Sequence, residues 1–379
     1  MNAAPSLRHL GKLVAALTIV LVLVCAVMAG LARLGVQVPD HAMTRVAWHG
    51  VLMLPVFFGA LVSLERAVAL QRAVYLLAPA CALAAGVVLI AGAASVAAQW
   101  LLIAAASVSL VASLQVLRKQ PARHLGVLAL AVSGWWSGNL VWAMTNDVAS
   151  SVPCWLSFLV LTIAAERLEL TRMLRLPRAA RYAFFVPVAS MTASLPWALF
   201  KPEEGTRLFA AGIVLLAVWL AKYDIARRTV RQRALTRFIA VCLLGGYGWL
   251  ALSGVLGLAG ALMPDHPWHD AALHALTLGF VFSMVFGHAP VIVPALTRLS
   301  VKYHPLFYAP LALLHAGLAM RLTGGLAGLF WLRKAGGIAG AVALALFALT
   351  LMTAVLAARR DRARRTGGRP ISDSPRPRC

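Results

Sequence analysis

HALTLGFVFSMVFGHAPVIVPAL, residues 274–296, decides how the rest of the chain is read. It is apolar enough to lie in lipid and long enough to cross it. It nevertheless keeps His274 and His288. At 1.5 Å rise per residue they stand ~21 Å apart along a helix. At 100° per residue they lie only ~40° apart around it. A membrane span that carries two imidazoles on nearly one face has a use for them.

The whole chain agrees with that reading. Of 379 residues, 61% are hydrophobic and only 12% charged. A soluble protein of this size would show about 25% charged residues. Apolar runs of spanning length fall at roughly 12–36, 43–66, 73–95, 98–117, 124–145, 150–171, 181–200, 207–223, 236–262, 269–297, 305–323 and 333–358. The first follows Arg8 and Lys12 as a signal peptide would, but shows no clear cleavage site and is long enough to span. The expected fold is therefore all-α: a polytopic membrane protein of twelve transmembrane helices. It forms one transmembrane domain over 1–358, followed by a basic, disordered cytoplasmic tail over 359–379.

The net charge of +23 would suggest nucleic acid in a soluble protein. Here the positive charge sits between apolar runs, so the partner it implies is the lipid bilayer, not nucleic acid. Placing the N-terminus inside puts about 28 of the 35 Lys and Arg residues on one side. This includes Arg66, Arg72, Arg118, Lys119, Arg167 to Arg181 and Lys222 to Arg237. Arg33, Arg45, Lys201, Arg207, Arg321, Arg333 and Lys334 fall outside. The alternation predicts a multi-pass protein of a bacterial-type inner membrane with both termini cytoplasmic. The five cysteines are scattered without a CxxC, which argues against a zinc site or a disulfide framework.

SLERAVALQR (63–72) near the end of the second run resembles AAERLELTR (164–172) near the end of the sixth. The two Glu-Arg pairs stand four helices apart, and the tenth run lies four further on. This allows three four-helix arcs. It also allows the plain reading that such pairs snorkel at cytoplasmic helix ends.

Four of the ten histidines, His49, His274, His288 and His315, fall within predicted spans. Each is a candidate ligand, or a neutral imidazole bonded to a neighbouring helix. His49 and His274 each stand about six residues into an even-numbered span, and so sit at nearly the same depth, roughly one and a half to two turns below the outer surface. Two imidazoles at matched depth suit axial coordination of one heme iron, or a copper ion. Trp48, Phe57, Phe58, Phe280 and Phe282 offer apolar faces, and Gly50 allows a flat ring to come close. There is no CxxCH, so a heme would be non-covalent heme b. His288, followed by Pro290 and Pro294 that would kink the helix, reads as a second-site ligand or a proton relay. Glu65 and Glu166 lie near it as acceptors. His315 reads as a ligand, a ligand orienter or a packed polar residue. The outer DHPWHDAALH places His266 and His269 as alternative copper ligands. SGWWSGNLVW (133–142) offers Trp135, Trp136 and Asn139 either for packing or to line a cavity.

Twelve spans with histidines on the second and tenth resemble subunit I of heme-copper oxidases and nitric oxide reductases. That family is built as three arcs of four helices with heme-ligating histidines on helices two and ten. HGVLMLPVFFGALVSLERAVAL (49–70) and HALTLGFVFSMVFGHA (274–289) are more closely similar to NnrS-like membrane proteins. These are linked to bacterial nitric oxide metabolism and to heme and copper. The resemblance implies His49 and His274 as heme ligands and His288 and His315 as second-site ligands, with a possible redox partner. It departs from the oxidases in having no histidine in the sixth and seventh spans. It departs again in the wide spacing of His274 and His288. Both argue against an oxygen-reducing binuclear centre. The rival expectations are a proton-coupled transporter without cofactor, using His288 and His315, and an assembly or metal-insertion factor using His266 and His269.

Overall fold

A computed structural model describes residues 4–40, 45–297 and 299–367. It is all-α, with no strand among the described residues. His41 and residues 368–379 of the expected tail lie outside them. Twelve helices are long and apolar enough to cross a membrane. They are α1 (Leu13–Ala32), α2 (Val46–Leu70), α3 (Ala73–Ala91), α4 (Ser95–Lys119), α5 (Arg123–Thr145) and α6 (Val148–Met173). Then follow α7 (Arg178–Phe200), α8 (Pro202–Tyr223), α9 (Ala234–Leu258), α10 (His269–Ala295), α11 (Pro305–Leu326) and α12 (Phe330–Asp361). Only helices satisfy every backbone group within a single segment in lipid, so apolar runs of this length have no other stable choice. The helix containing α12 continues to Gly367, past Arg359 where the sequence suggests the tail begins.

Short polar punctuation ends the helices. Gln71, Asn146 and Gly92 take left-handed backbone conformations that close α2, α5 and α3. The Asp147 carboxylate caps α6 by accepting from the N–H groups of Ala149 and Ser150, each at 3.0 Å. Pro202 opens α8, with Glu203 and Glu204 in its first turn.

Neighbours in sequence pack as neighbours in space, and α1 also meets α12. The helices α2, α6 and α10, spaced four apart, all meet in the interior. Phe57 and Phe58 of α2 contact Phe282 of α10 at ring separations of 6.3 and 5.2 Å. α2 packs on α6, and α6 is joined to α10 through Arg167 and His288. The SGWWSGNLVW segment is mainly packing. Fully buried Asn139 accepts from Trp155 Nε1 at 3.0 Å and donates to Leu102 O at 2.9 Å, tying α4, α5 and α6 together. Such interhelical bonds contribute only about 0.6 kcal/mol each on average, so fit must carry most of the association. Trp135 stacks on Phe158 and also borders a small cavity with Ser63, Arg66 and Tyr75.

Two stretches are wound as π-helix: Leu52–Phe58 in α2 and Ala275–Phe282 in α10. Pro55 lacks an N–H and cannot complete an α-helical ladder, which explains the first. In the second, the Thr277 hydroxyl bonds back to Leu273 O at 2.8 Å. Irregularity therefore falls at the start of α10. Ser283–Thr297 is α-helix and carries Pro290 and Pro294 within it.

Candidate functional site

Each π segment begins within a few residues after a histidine: Leu52 follows His49 and Ala275 follows His274. π-bulges recur at functional positions because they re-aim the side chains beside them. Here the two rings meet. Their planes are 15° from parallel and their centroids 6.4 Å apart. That is too far for face-to-face contact, where carbon atoms would approach to about 3.5–4.0 Å.

Both imidazoles are held from behind. His49 Nδ1 is 2.8 Å from Ala26 O on α1. His274 Nδ1 is 2.8 Å from Asp270 O one turn earlier. A carbonyl oxygen only accepts, so each Nδ1 carries the proton. Each neutral ring is then left with a bare Nε2 lone pair. This is how proteins orient imidazoles for metal ligation. The His49 ring also lies flat on α1: a Cβ on Gly30 would stand 2.7 Å from His49 Cε1. His274 keeps 16% of its side-chain surface open, and Trp48, Gly30 and Thr277 beside the pair are only half-buried.

The Asp270 carboxylate sits behind His274, its Oδ1 3.3 Å from Nδ1. Arg321 grips it with two bonds, Nε to Oδ2 at 3.0 Å and Nη2 to Oδ1 at 2.7 Å. Arg333 adds Nε to Oδ2 at 3.3 Å and Nη2 to Oδ1 at 3.2 Å. One carboxylate thus faces two guanidiniums, and the charge of Arg33 also reaches His49. The surroundings of the pair are net positive. Sequence reasoning missed this cluster because it used Arg321 and Arg333 only to orient the chain. Two signals pointed to it: Asp270 stands four residues before His274, and Arg321 lies inside an apolar run.

The other candidates are placed elsewhere. His288 Nδ1 donates to Met284 O at 2.7 Å, and its Nε2 accepts from Arg167 Nη2 at 2.8 Å. Both ring nitrogens are engaged. His315 Nδ1 accepts from Trp249 Nε1 at 2.7 Å, so in the neutral ring Nε2 carries the proton. His266 Nδ1 accepts the Trp268 backbone N–H at 3.1 Å. Among the described residues, no three His, Cys, Asp or Glu side chains are grouped to hold a metal ion. The chemistry on offer near the N-terminal ends of α2 and α10 is that of two ligands, not three or four. Glu65 and Glu166 lie within electrostatic reach of each other, at the opposite ends of α2 and α6.

No curated protein matches the chain. A family model described as a domain of unknown function, DUF8744, matches residues 12–356. That match covers nearly all of the helical bundle, and the chain belongs to this family.

Proposed function

We propose that the protein is a heme-binding membrane protein of the bacterial inner membrane, with His49 and His274 as the two axial ligands of one non-covalent heme b. The observation that carries this is the ring pair. The ring centroids stand 6.4 Å apart with their planes 15° from parallel, a separation that leaves room for one metal ion between the rings. The donor set fits the group. Both rings have Nδ1 engaged and Nε2 bare, and two protein ligands are what a porphyrin iron needs. The positive surroundings supplied by Arg321, Arg333 and Arg33 suit the acidic edge of a heme. A copper ion held by the same two rings is the smaller alternative.

When bound, the heme would supply reversible one-electron chemistry. The similarity to NnrS-like proteins directs the reading to nitric oxide handling or a related respiratory redox role, with a redox partner. The chain's own part is to fix the imidazoles from α1 and from Asp270, and to exclude bulk water with the Phe57, Phe58 and Phe282 cluster. The basic loops face the cytoplasm in this reading. A cofactor-free proton-coupled transporter would instead centre on the Arg167–His288 pair.

The test is an absorption spectrum with metal analysis of protein purified from heme-replete cells. A Soret band is expected, abolished or shifted in both His49→Ala and His274→Ala. A colourless preparation rejects the reading.

A further inference from the structure

The loop after α8 and the first turn of α9 make one end of the bundle strongly basic. Residues 222–237 hold Lys222, Arg227, Arg228, Arg231, Arg233 and Arg237 against one acid, Asp224. That acid is turned inward. It is 3% exposed, accepts the Ala226 N–H at 2.7 Å and is hydrogen-bonded to Tyr247. Among the described residues, neither Arg233 nor Arg237 joins an ion pair.

These two arginines line an open cleft of about 580 Å³ between the start of α9 and the start of α11, together with Val241, Tyr303, Pro305 and Tyr308. Small-molecule sites span about 300–1,000 Å³. The aromatic wall of the cleft is fixed. Tyr303 and Tyr308 are hydrogen-bonded to each other. Both pack on fully buried Phe238, at ring separations of 6.4 and 5.3 Å. Arg237 stands close enough for its charge to reach Tyr308.

The order of residues along α9 decides what fits. Arg233, Arg237 and Val241 recur every four residues, so they share one face over ~12 Å of helix. That face runs from two cations at the end of the span to an apolar side chain inside it. A phospholipid has the same order, phosphate first and acyl chain after. A soluble anion would satisfy the arginines and leave Val241 and the tyrosine rings uncovered. A zwitterionic headgroup would bring a further cation to the two already there. The positive end of the α9 dipole, with no acid in its first turn, favours an anion again. Basic pockets between membrane helices on the cytoplasmic side take anionic headgroups for these reasons.

We propose that this cleft binds one anionic phospholipid from the leaflet on the basic side. Its phosphate pairs with Arg233 and Arg237, and an acyl chain runs along Val241 and the Tyr303 and Tyr308 rings into the bilayer. The two tyrosines, apolar in the ring and polar at the tip, lie at the headgroup boundary where such side chains gather. The site is at the other end of the bundle from His49 and His274. It needs no cofactor, and stands or falls separately from the heme reading.

Native mass spectrometry of the detergent-purified protein, offered phosphatidylglycerol or phosphatidylcholine, counts the bound lipid. One phosphatidylglycerol should be retained and phosphatidylcholine should not. A guanidinium near an anionic headgroup contributes about five-fold in affinity, so Arg233→Gln with Arg237→Gln should weaken retention ~30-fold. Arg228→Gln with Arg231→Gln removes the same charge outside the cleft and should keep most of it. All four arginines are exposed, so both double variants should fold. Equal losses in the two double variants would overturn the proposal, because diffuse charge would then suffice. So would equal retention of phosphatidylcholine, or inorganic phosphate binding as tightly as the lipid. Retention of an acidic protein in place of phosphatidylglycerol would overturn it too.

Discussion

Arg321 holds Asp270 through two parallel bonds of 3.0 and 2.7 Å, and so joins α11 to the helix turn that carries His274. Among the described residues, Asp270 is also the only carboxylate that the two guanidiniums grip. Asp270→Asn would leave both cations facing a neutral amide. Breaking a buried ion pair costs on the order of 3–5 kcal/mol. Asp270 is 21% exposed, so the lower end of that range is expected. The measurement is thermal unfolding in detergent. Arg333→Lys should move the midpoint less, because Arg333 is the more exposed partner, at 34%. Equal shifts in both variants would contradict the assignment of Arg321 as the main grip.

Gly30→Ala tests the backing of His49. The added methyl would meet His49 Cε1 at 2.7 Å, well inside normal contact. The imidazole has to turn or α1 has to move. On the heme reading, the Soret maximum should shift or heme content fall, while the helix content stays as in the parent. An unchanged spectrum would mean that His49 is not a ligand or is free to relocate.

His288 and His315 should separate from His49 and His274. Trp249→Phe removes the one N–H bonded to His315 Nδ1 and should leave heme content unchanged. His288→Gln should do the same, since both ring nitrogens of His288 are already committed. Heme loss in His288→Gln as complete as in His49→Ala would move the ligand to the wrong end of α10 for this model.

Asp147 gives a pH prediction outside the membrane-spanning segments. Its carboxyl is held below the usual range, first by the Ser150 hydroxyl and then by the Ala149 and Ser150 N–H groups. A carboxylate whose folded value is lowered stabilises the fold above its unfolded value and loses that contribution as pH falls through the folded one. The thermal midpoint should therefore drop on acidification. Asp147→Asn keeps a competent cap and should flatten that part of the pH dependence. Asp147→Ala should cost about 0.5–2 kcal/mol at neutral pH.

Hydropathy made the twelve helices readable, because length and apolar content are what lipid demands. Matched depth brought His49 and His274 forward, since parallel helices of similar length place equivalent positions at one level. What stayed hidden was hidden for physical reasons. Hydrogen-bond winding leaves no trace in apolar content, so the π segments after each histidine could not be seen. Arg167, Arg321 and Arg333 served as markers of sidedness, and a charge counted for topology is easily overlooked as a side-chain partner. Asp224 and Tyr247 are isolated in sequence and meet Arg167 only through the packing of α6, α8 and α9.

The wide winding after His49 and His274 makes chain length itself part of the design. Relaxing Leu52–Phe58 or Ala275–Phe282 to ordinary α-helix with no residue removed would turn everything on one side of it by about 100°. One imidazole would then look away from its counterpart while every hydrophobic residue stayed apolar. The mutual orientation of the two rings therefore depends on the wide winding being kept wherever the residue count is kept.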